Sequence, residues 1–243
     1  MENTISNKRT VSSVVIFAIL IALTLIFIFP ILLVLMNSFK SRLYVSTTPF
    51  AWPKGDMFVG LENYINGLTV SGFFMSFLRS VWISVMSVLV IIVCTSMTAW
   101  YLVRVKSKVT STLYYIFVFS MIVPFQMVMY TMTFIVTAIN FDNVFGIILV
   151  YLGFGAGLSV FMFTGFVKGI PLEVEEAATI DGCNPLQTYF LIVFPMLKPT
   201  AITVAILQAM WVWNDYLLPY LILGTDHKTI PVEILPLGRR KSN

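Results

Sequence analysis

Two groups of residues in this chain are equipped for recognition chemistry. The first is a run of carboxylates and small residues: Glu173, Glu175 and Glu176, then Ala177, Ala178, Asp181 and Gly182, set between two long apolar stretches. Carboxylates suit basic or polar partners, and small side chains let another backbone come close. The second is Trp213-Asn214-Asp215, in an otherwise uncharged run, with Trp211, Tyr216 and Tyr220 around it. A carboxylate inside an apolar run is costly and by default a functional candidate. Aromatics beside hydrogen-bonding groups suit the faces and hydroxyls of sugars. An equally concrete reading places Asp215 within about two turns of the end of its run, reaching interfacial water, with the aromatics forming a belt at that level.

Covalent chemistry is poorly supplied. His227 is the single histidine. Cys94 lies in an apolar run and Cys183 in a polar loop, which suits neither a disulfide nor a metal site. Proteolysis or acyl transfer would need a nucleophile paired with a His or Asp at membrane depth. The Walker-type glycine loop is missing from the sequence, so ATP hydrolysis would have to come from another chain. The chain reads as no enzyme, with no cofactor of its own.

The elements that position these residues follow from composition. Of 243 residues, 58% are hydrophobic and 11% charged, with a mean hydropathy of +0.92. A soluble domain carries about 25% charged residues, so this is an integral membrane protein. The net charge of +4 comes without a Lys/Arg block interleaved with aromatics, which argues against nucleic acid.

A crossing helix needs roughly 20 apolar residues. Runs that qualify lie near 14–36, 81–103, 112–139, 144–167 and 201–223. The first exceeds the about 7–15 apolar residues of a signal peptide. The third is longer than a span needs and holds Pro124, which predicts a kink or break. Gln126 beside it either satisfies backbone groups freed there or lines a path. Gly153 and Gly157 permit close helix contact or loosen a bend. Arg79 reads as an interfacial anchor.

Lys8 and Arg9 place the N-terminus inside, together with the loop holding Arg104, Lys106 and Lys108. Segments 40–72 and 140–143 are then outside, and 168–200 is inside despite its acidic charge. Segment 40–72, with Pro49, Trp52, Pro53, Gly55 and Gly60, predicts an ordered loop with one short helix near 61–68.

Within 168–200 the local signals are dense. Pro171 suits a first helical turn, with carboxylates at its positive end and Gly182 at its close. Asn184, Pro185 and Gln187 have the pattern of a capping box opening a second helix, and Pro195 and Pro199 punctuate the way to the fifth run. An amphipathic helix on lipid headgroups would carry Lys/Arg. This one carries carboxylates, which favours a protein partner.

Glu176-Ala177-Ala178, Gly182 after three residues, Ile192 after nine more and then Phe194-Pro195 resemble the EAA loop of binding-protein-dependent ABC importers, with phenylalanine at 194 where leucine is usual. The strings 171–182 and 195–199 resemble the carbohydrate-uptake branch, specifically its maltose-permease G-type subunits. The resemblance implies an all-α, polytopic transmembrane bundle, the type I ABC importer transmembrane domain, in the plasma membrane of a prokaryote. It implies that helix 172–180 docks on an ATPase, with Glu176, Ala177, Ala178, Asp181 and Gly182 in the coupling. Asp215, Asn214 and Trp213 are candidates for the substrate path of a sugar or oligosaccharide. The implied partners are a second permease subunit, two ATPase subunits that bind ATP-Mg, an extracytoplasmic solute-binding protein and membrane lipid.

By position, 225–231 resembles the outer loop that meets the binding protein. The reading divides the chain into a cytoplasmic N-terminus at 1–13, a transmembrane domain at 14–235 and an atypical tail at 236–243. The family usually has six spans where five are read here. Five spans would put Arg239, Arg240 and Lys241 outside, against the charge rule. Either the reading frame is shortened and lacks the last helix, or the fifth run does not fully cross. The rival reading is a secondary transporter or facilitator, which would need its own coupling-ion site at mid-membrane; only Asp215 comes near that.

Overall fold

The computed structural model describes residues 2–69, 72–224 and 227–237, with side chains described for 13–69, 72–224 and 227–234. The side chains of Lys8 and Arg9, and all of Thr225, Arg239, Arg240 and Lys241, lie outside the described residues. The chain forms two compact units, 1–72 and 73–243.

The first unit opens with α1 (Glu2–Ser38), which runs through Pro30. Its stretch Ser13–Ser38 is long and apolar enough to cross a membrane. Its apolar side chains belong in lipid or against protein rather than in water. The helix starts well before residue 14 because the polar N-terminal residues continue its hydrogen bonding. Two more helices follow, α2 (Arg42–Thr47) and α3 (Glu62–Thr69), with a 3-10 turn at Gly55–Met57.

Polar side chains order this segment. Lys40 is fully buried and donates from Nζ to the carbonyls of Thr48 (2.9 Å) and Pro49 (3.1 Å). Asn63 donates to the carbonyls of Ser38 and Lys40, both at 2.8 Å. The Phe39 ring lies against Phe58 and Tyr64. The expected short helix is present, joined by α2, which the turn-rich sequence did not signal.

The second unit begins with α4 (Phe73–Arg104), whose main packing partner is α7 (Val144–Val167). The buried face of α4 carries Ser80, Ser84, Ser87, Ile91, Thr95 and Ala99. Small residues at three- and four-residue spacing let membrane helices approach closely. On α7, a Cβ added at Gly155 would stand 2.9 Å from Ile91 Cδ1 and 3.0 Å from Gln208 Oε1. One added at Gly157 would meet Ser120 Oγ at 2.7 Å and the Phe117 carbonyl at 2.8 Å. Gly153 has open space. Close contact therefore belongs to Gly155 and Gly157 rather than to the 153/157 pair.

Between α4 and α7 lie α5 (Lys108–Ser120) and α6 (Phe125–Ala138), bent by 107° at the break before Phe125. Pro124 has extended backbone there, because its ring excludes a continuous helix. Gln126 is exposed and its side chain makes no hydrogen bond among the described residues, so it does not serve the freed backbone groups.

After α7 come α8 (Leu172–Ile180), the single turn α9 (Pro185–Gln187), a π-helical stretch at Thr188–Val193, the turn α10 (Phe194–Met196) and α11 (Lys198–Asn214). α12 (Leu217–Leu223) and α13 (Ile230–Leu237) complete the described chain. Among the described residues, three helices have membrane-crossing length and hydropathy, and up to five spans result if each bent pair is one span. The second such pair is Pro185–Met196 with Lys198–Asn214, bent by 76°. Run 201–223 is therefore not one helix: α11 stops at Asn214, and α12 begins at Leu217. Buried Gln208 of α11 donates to Ser159 Oγ (3.1 Å) and the Gly155 carbonyl (3.3 Å) of α7, polar glue inside an apolar contact.

Candidate functional site: the loop helix and the break at Asp215

Helix α8 is built by short-range signals. Pro171 sits just outside it with extended backbone, one residue earlier than the first-turn position that sequence suggests. Glu173 and Glu175 occupy its first turn, where the helix dipole favours negative charge. At its end, the Gly182 amide donates to the Thr179 carbonyl (3.1 Å) and the Cys183 amide to Ala178 (3.0 Å). Gly182 has φ +88°, a conformation that glycine adopts without a side-chain clash.

The turn then closes a capping box. Asn184 Oδ1 accepts from the Gln187 amide, and Gln187 Oε1 accepts from the Asn184 amide, both at 2.9 Å. The π-helical stretch follows directly. Pro195 has no N–H for the carbonyl four residues back, and the Phe194 amide instead reaches the Tyr189 carbonyl.

The faces of α8 divide sharply. Glu175 and Ala178 are 7% and 6% exposed. Arg104, the last residue of α4, donates to Glu175 Oε1 from Nη2 (2.7 Å) and Nε (2.9 Å). Trp100 Nε1 donates to Oε2 at 2.9 Å. Arg104 Nη2 also reaches the Ile170 carbonyl at 3.0 Å. Both carboxylate oxygens are thus answered by charge-assisted bonds.

One helical face of α4 supplies the whole anchor, since Ser96, Trp100 and Arg104 are four residues apart. The Trp100 ring stands 5.4 Å from that of Tyr189, and the Tyr189 and Ser96 hydroxyls share a 2.6 Å hydrogen bond. The end of α4 therefore grips both α8 and the π-helical stretch.

Leu172, Glu173, Glu176, Ala177, Ile180 and Asp181 are exposed, and Ile180 is 85% exposed. Of the residues singled out by sequence, Glu176, Ala177, Asp181 and Gly182 lie on the outside and Ala178 faces inward. The anchor of Glu175, Arg104, Trp100 and Tyr189 was missed. Its one signal in the sequence is the 96/100/104 spacing, since Arg104 alone has the pattern of a charge that sets topology.

At the other site, Asp215 is half-buried. Its Oδ2 accepts from the Tyr151 hydroxyl at 3.1 Å, and its Oδ1 accepts from the amides of Leu217 (3.0 Å) and Leu218 (3.4 Å). The carboxylate thus caps α12 while tying it to α7. Trp211 meets the fully buried Tyr151 edge-on at 5.3 Å. The other two candidates turn elsewhere: Trp213 lies edge-on to Phe77, and Asn214 donates to the Met210 carbonyl of its own helix at 2.7 Å.

Arg79 is more than a surface anchor, since its Nη1 donates to the Lys228 carbonyl at 3.4 Å. The Ile230 amide donates to Ser80 Oγ at 2.9 Å, and Lys228 pairs with Glu233 at 3.3 Å. Segment 228–233 is thereby tied to the start of α4.

Membrane-length helices, two bent pairs and an anchored loop helix define a polytopic α-helical membrane protein. Residues 91–233 match the model of the family described as "Binding-protein-dependent transport system inner membrane component", and the chain belongs to that family. It is a permease subunit of an ABC importer. Such a subunit works with another permease, an ATPase and a binding protein.

The chain is 40% identical over 215 residues (88% of this chain, 77% of the relative) to the "Probable starch degradation products transport system permease protein AmyC" of Thermoanaerobacterium thermosulfurigenes. It is 34% identical over 215 residues (86% and 76%) to the "Multiple sugar-binding transport system permease protein MsmG" of Streptococcus mutans. It is 32% identical over 210 residues (86% and 68%) to the "Diacetylchitobiose uptake system permease protein NgcG" of Streptomyces coelicolor. Among solved structures, a chain from the crystal structure of a bacterial ABC transporter that imports alginate matches its fold. The TM-score is 0.76 with 21% identity, covering 96% of this chain and 82% of that one.

Proposed function

We propose that this permease carries a sugar or oligosaccharide across the plasma membrane of a prokaryote, and that α8 couples it to ATP hydrolysis by a partner. The names of the three relatives support the solute class. The N-terminus and segment 168–200 lie in the cytoplasm, in keeping with Lys8, Arg9, Arg104, Lys106 and Lys108 on that side. Two ATPase subunits bind ATP-Mg, a second permease completes the path, and an extracytoplasmic protein delivers the solute.

The observation that carries the coupling reading is the anchor at Glu175. Glu173, Glu176, Ala177, Ile180 and Asp181 face away from the chain, free to meet an ATPase. Glu175, Arg104 and Trp100 tie the opposite face to α4. A displacement of α8 is thereby handed to α4 and to α7 packed along it. Gly182 lets the chain turn out of the docking groove. Asp215, Asn214 and Trp213 belong to the solute path, with Asp215 holding the α11–α12 break at its edge.

Cysteine crosslinking in membranes that contain the ATPase tests this. With Cys94 and Cys183 replaced by serine, Ala177→Cys and Ile180→Cys capture the ATPase, whereas buried Ala178→Cys does not. Failure of both exposed positions to capture it sinks the reading. Solute uptake that continues without any ATPase supports the secondary-transporter alternative.

A further inference from the structure

We propose that the hollow enclosed by α4, α5 and α7 binds the phosphate headgroup of an anionic phospholipid. The hollow has a volume of about 460 Å³, and its polar lining includes Arg104, Lys106, Thr110, Tyr114, Thr164 and Lys168. No carboxylate lines it. Arg104 is already paired with Glu175. Lys106 and Lys168 have no ion pair among the described residues. The Lys168 ammonium is held 5.6 Å from the centre of the Tyr114 ring, a cation–π contact that positions it without neutralising it.

A second observation is independent of these charges. Thr164 is 3% exposed, and its Oγ1 has no hydrogen-bond partner. Other threonines of this unit do what membrane helices usually allow and bond the carbonyl four residues back: Thr95 to Ile91, Thr133 to Met129 and Thr203 to Pro199. Thr164 does not, and it lines the hollow. A buried hydroxyl without a partner beside two uncompensated lysines calls for an anion with acceptor oxygens.

Position selects the lipid as its source. Arg104 and Val167 are the last residues of two membrane-length helices, so the hollow lies where lipid phosphates lie. Tyr115, 70% exposed, stands beside it, at the level where tyrosine favours the interface. An adjoining hollow shares Lys106, Ser111 and Tyr115 and adds Lys108, which extends the basic lining outward. Basic pockets between membrane helices on the cytoplasmic side suit anionic headgroups. The site shares Arg104 with the α8 anchor, but none of the exposed side chains of α8 lines it.

Native mass spectrometry of the full chain in mild detergent, with phosphatidylglycerol or phosphatidylcholine added, tests the proposal. Phosphatidylglycerol should be retained over phosphatidylcholine, with retention falling about fivefold for each lysine lost in Lys106→Gln and Lys168→Gln. Thr164→Val should weaken retention about threefold, the loss of one hydrogen bond. Inorganic phosphate at millimolar concentration should leave the lipid bound.

Equal retention of the two lipids, or unchanged retention in the double lysine variant, overturns the proposal. Displacement by inorganic phosphate overturns the lipid source. Should the variants fold poorly, photoreactive phosphatidylglycerol on the unaltered chain decides: labels should fall within 106–115 and 164–168, and labelling confined to other segments overturns it. In the assembled importer, capture of an ATPase by Lys106→Cys with no lipid retained overturns it as well.

Discussion

Glu175 is answered by a guanidinium and an indole, Asp215 by a phenol and two backbone amides. Each carboxylate sits beside a helix break, yet their partners differ in reach. The residues that hold Glu175 lie 71 and 75 positions earlier in the chain, so the bond is a tether between separate elements. Two of the three bonds to Asp215 come from the next turn, so its main effect is to start α12. Removing one member of a buried ion pair costs roughly 3–5 kcal/mol, whereas losing a helix cap costs about 1 kcal/mol. The Glu175 site therefore ties two distant elements together, and the Asp215 site shapes a bend.

The largest effect is expected of Gly182→Pro. Proline cannot adopt φ +88° and removes an N–H that is bonded to Thr179. Transport should be abolished with the chain still in the membrane, measured by solute uptake against membrane protein level. Uptake at normal expression would separate the loop from coupling.

Next in size come Glu175→Ala and Arg104→Ala, each expected to loosen the loop by about 3 kcal/mol, the low end for a pair not fully buried. Limited proteolysis of 168–200 reads this. The double variant should lose little more than either single one, and additive losses would deny the tether.

Asp215→Asn should cost about 0.5–1 kcal/mol, since the amide oxygen keeps the cap and only the bond to Tyr151 is disturbed. Uptake with a panel of sugars sharpens its role: altered preference places it on the path, and unchanged preference leaves it a cap. Tyr151→Phe removes only the 3.1 Å bond and should cost about 0.5–1 kcal/mol, with thermal stability as the measure. A larger loss would make Tyr151, rather than the α12 amides, the main partner of Asp215.

Much of the loop was legible because its signals act over a few residues. The capping box of Asn184 and Gln187, the glycine turn at 182 and the helix over 172–180 are all made by bonds within one turn. The break at Pro124 was legible for the same reason, through a missing N–H. Its 107° bend was not, because an angle depends on what the two halves pack against.

Neighbouring residues of one type show where such local signals end. Glu175 and Glu176 are chemically alike, and roughly 100° of helix rotation separates them. Only the position of Ser96, Trp100 and Arg104 on α4 decides that the first turns inward and the second out. Gly155 and Gly157 meet other helices while Gly153 meets nothing, although all three lie in one glycine-rich stretch. Asp215 is the one charged residue of run 201–223 and caps α12 through local amides, but its hydroxyl partner comes from α7 and leaves no local signal.

The membrane class, the loop helix and, through Glu176-Ala177-Ala178 and Gly182, the kinship with importer permeases can be read from residue order. These rest on composition and on hydrogen bonds between near neighbours. Which carboxylate anchors and which alanine is buried follow only from packing, because each depends on side chains brought together from distant parts of the chain.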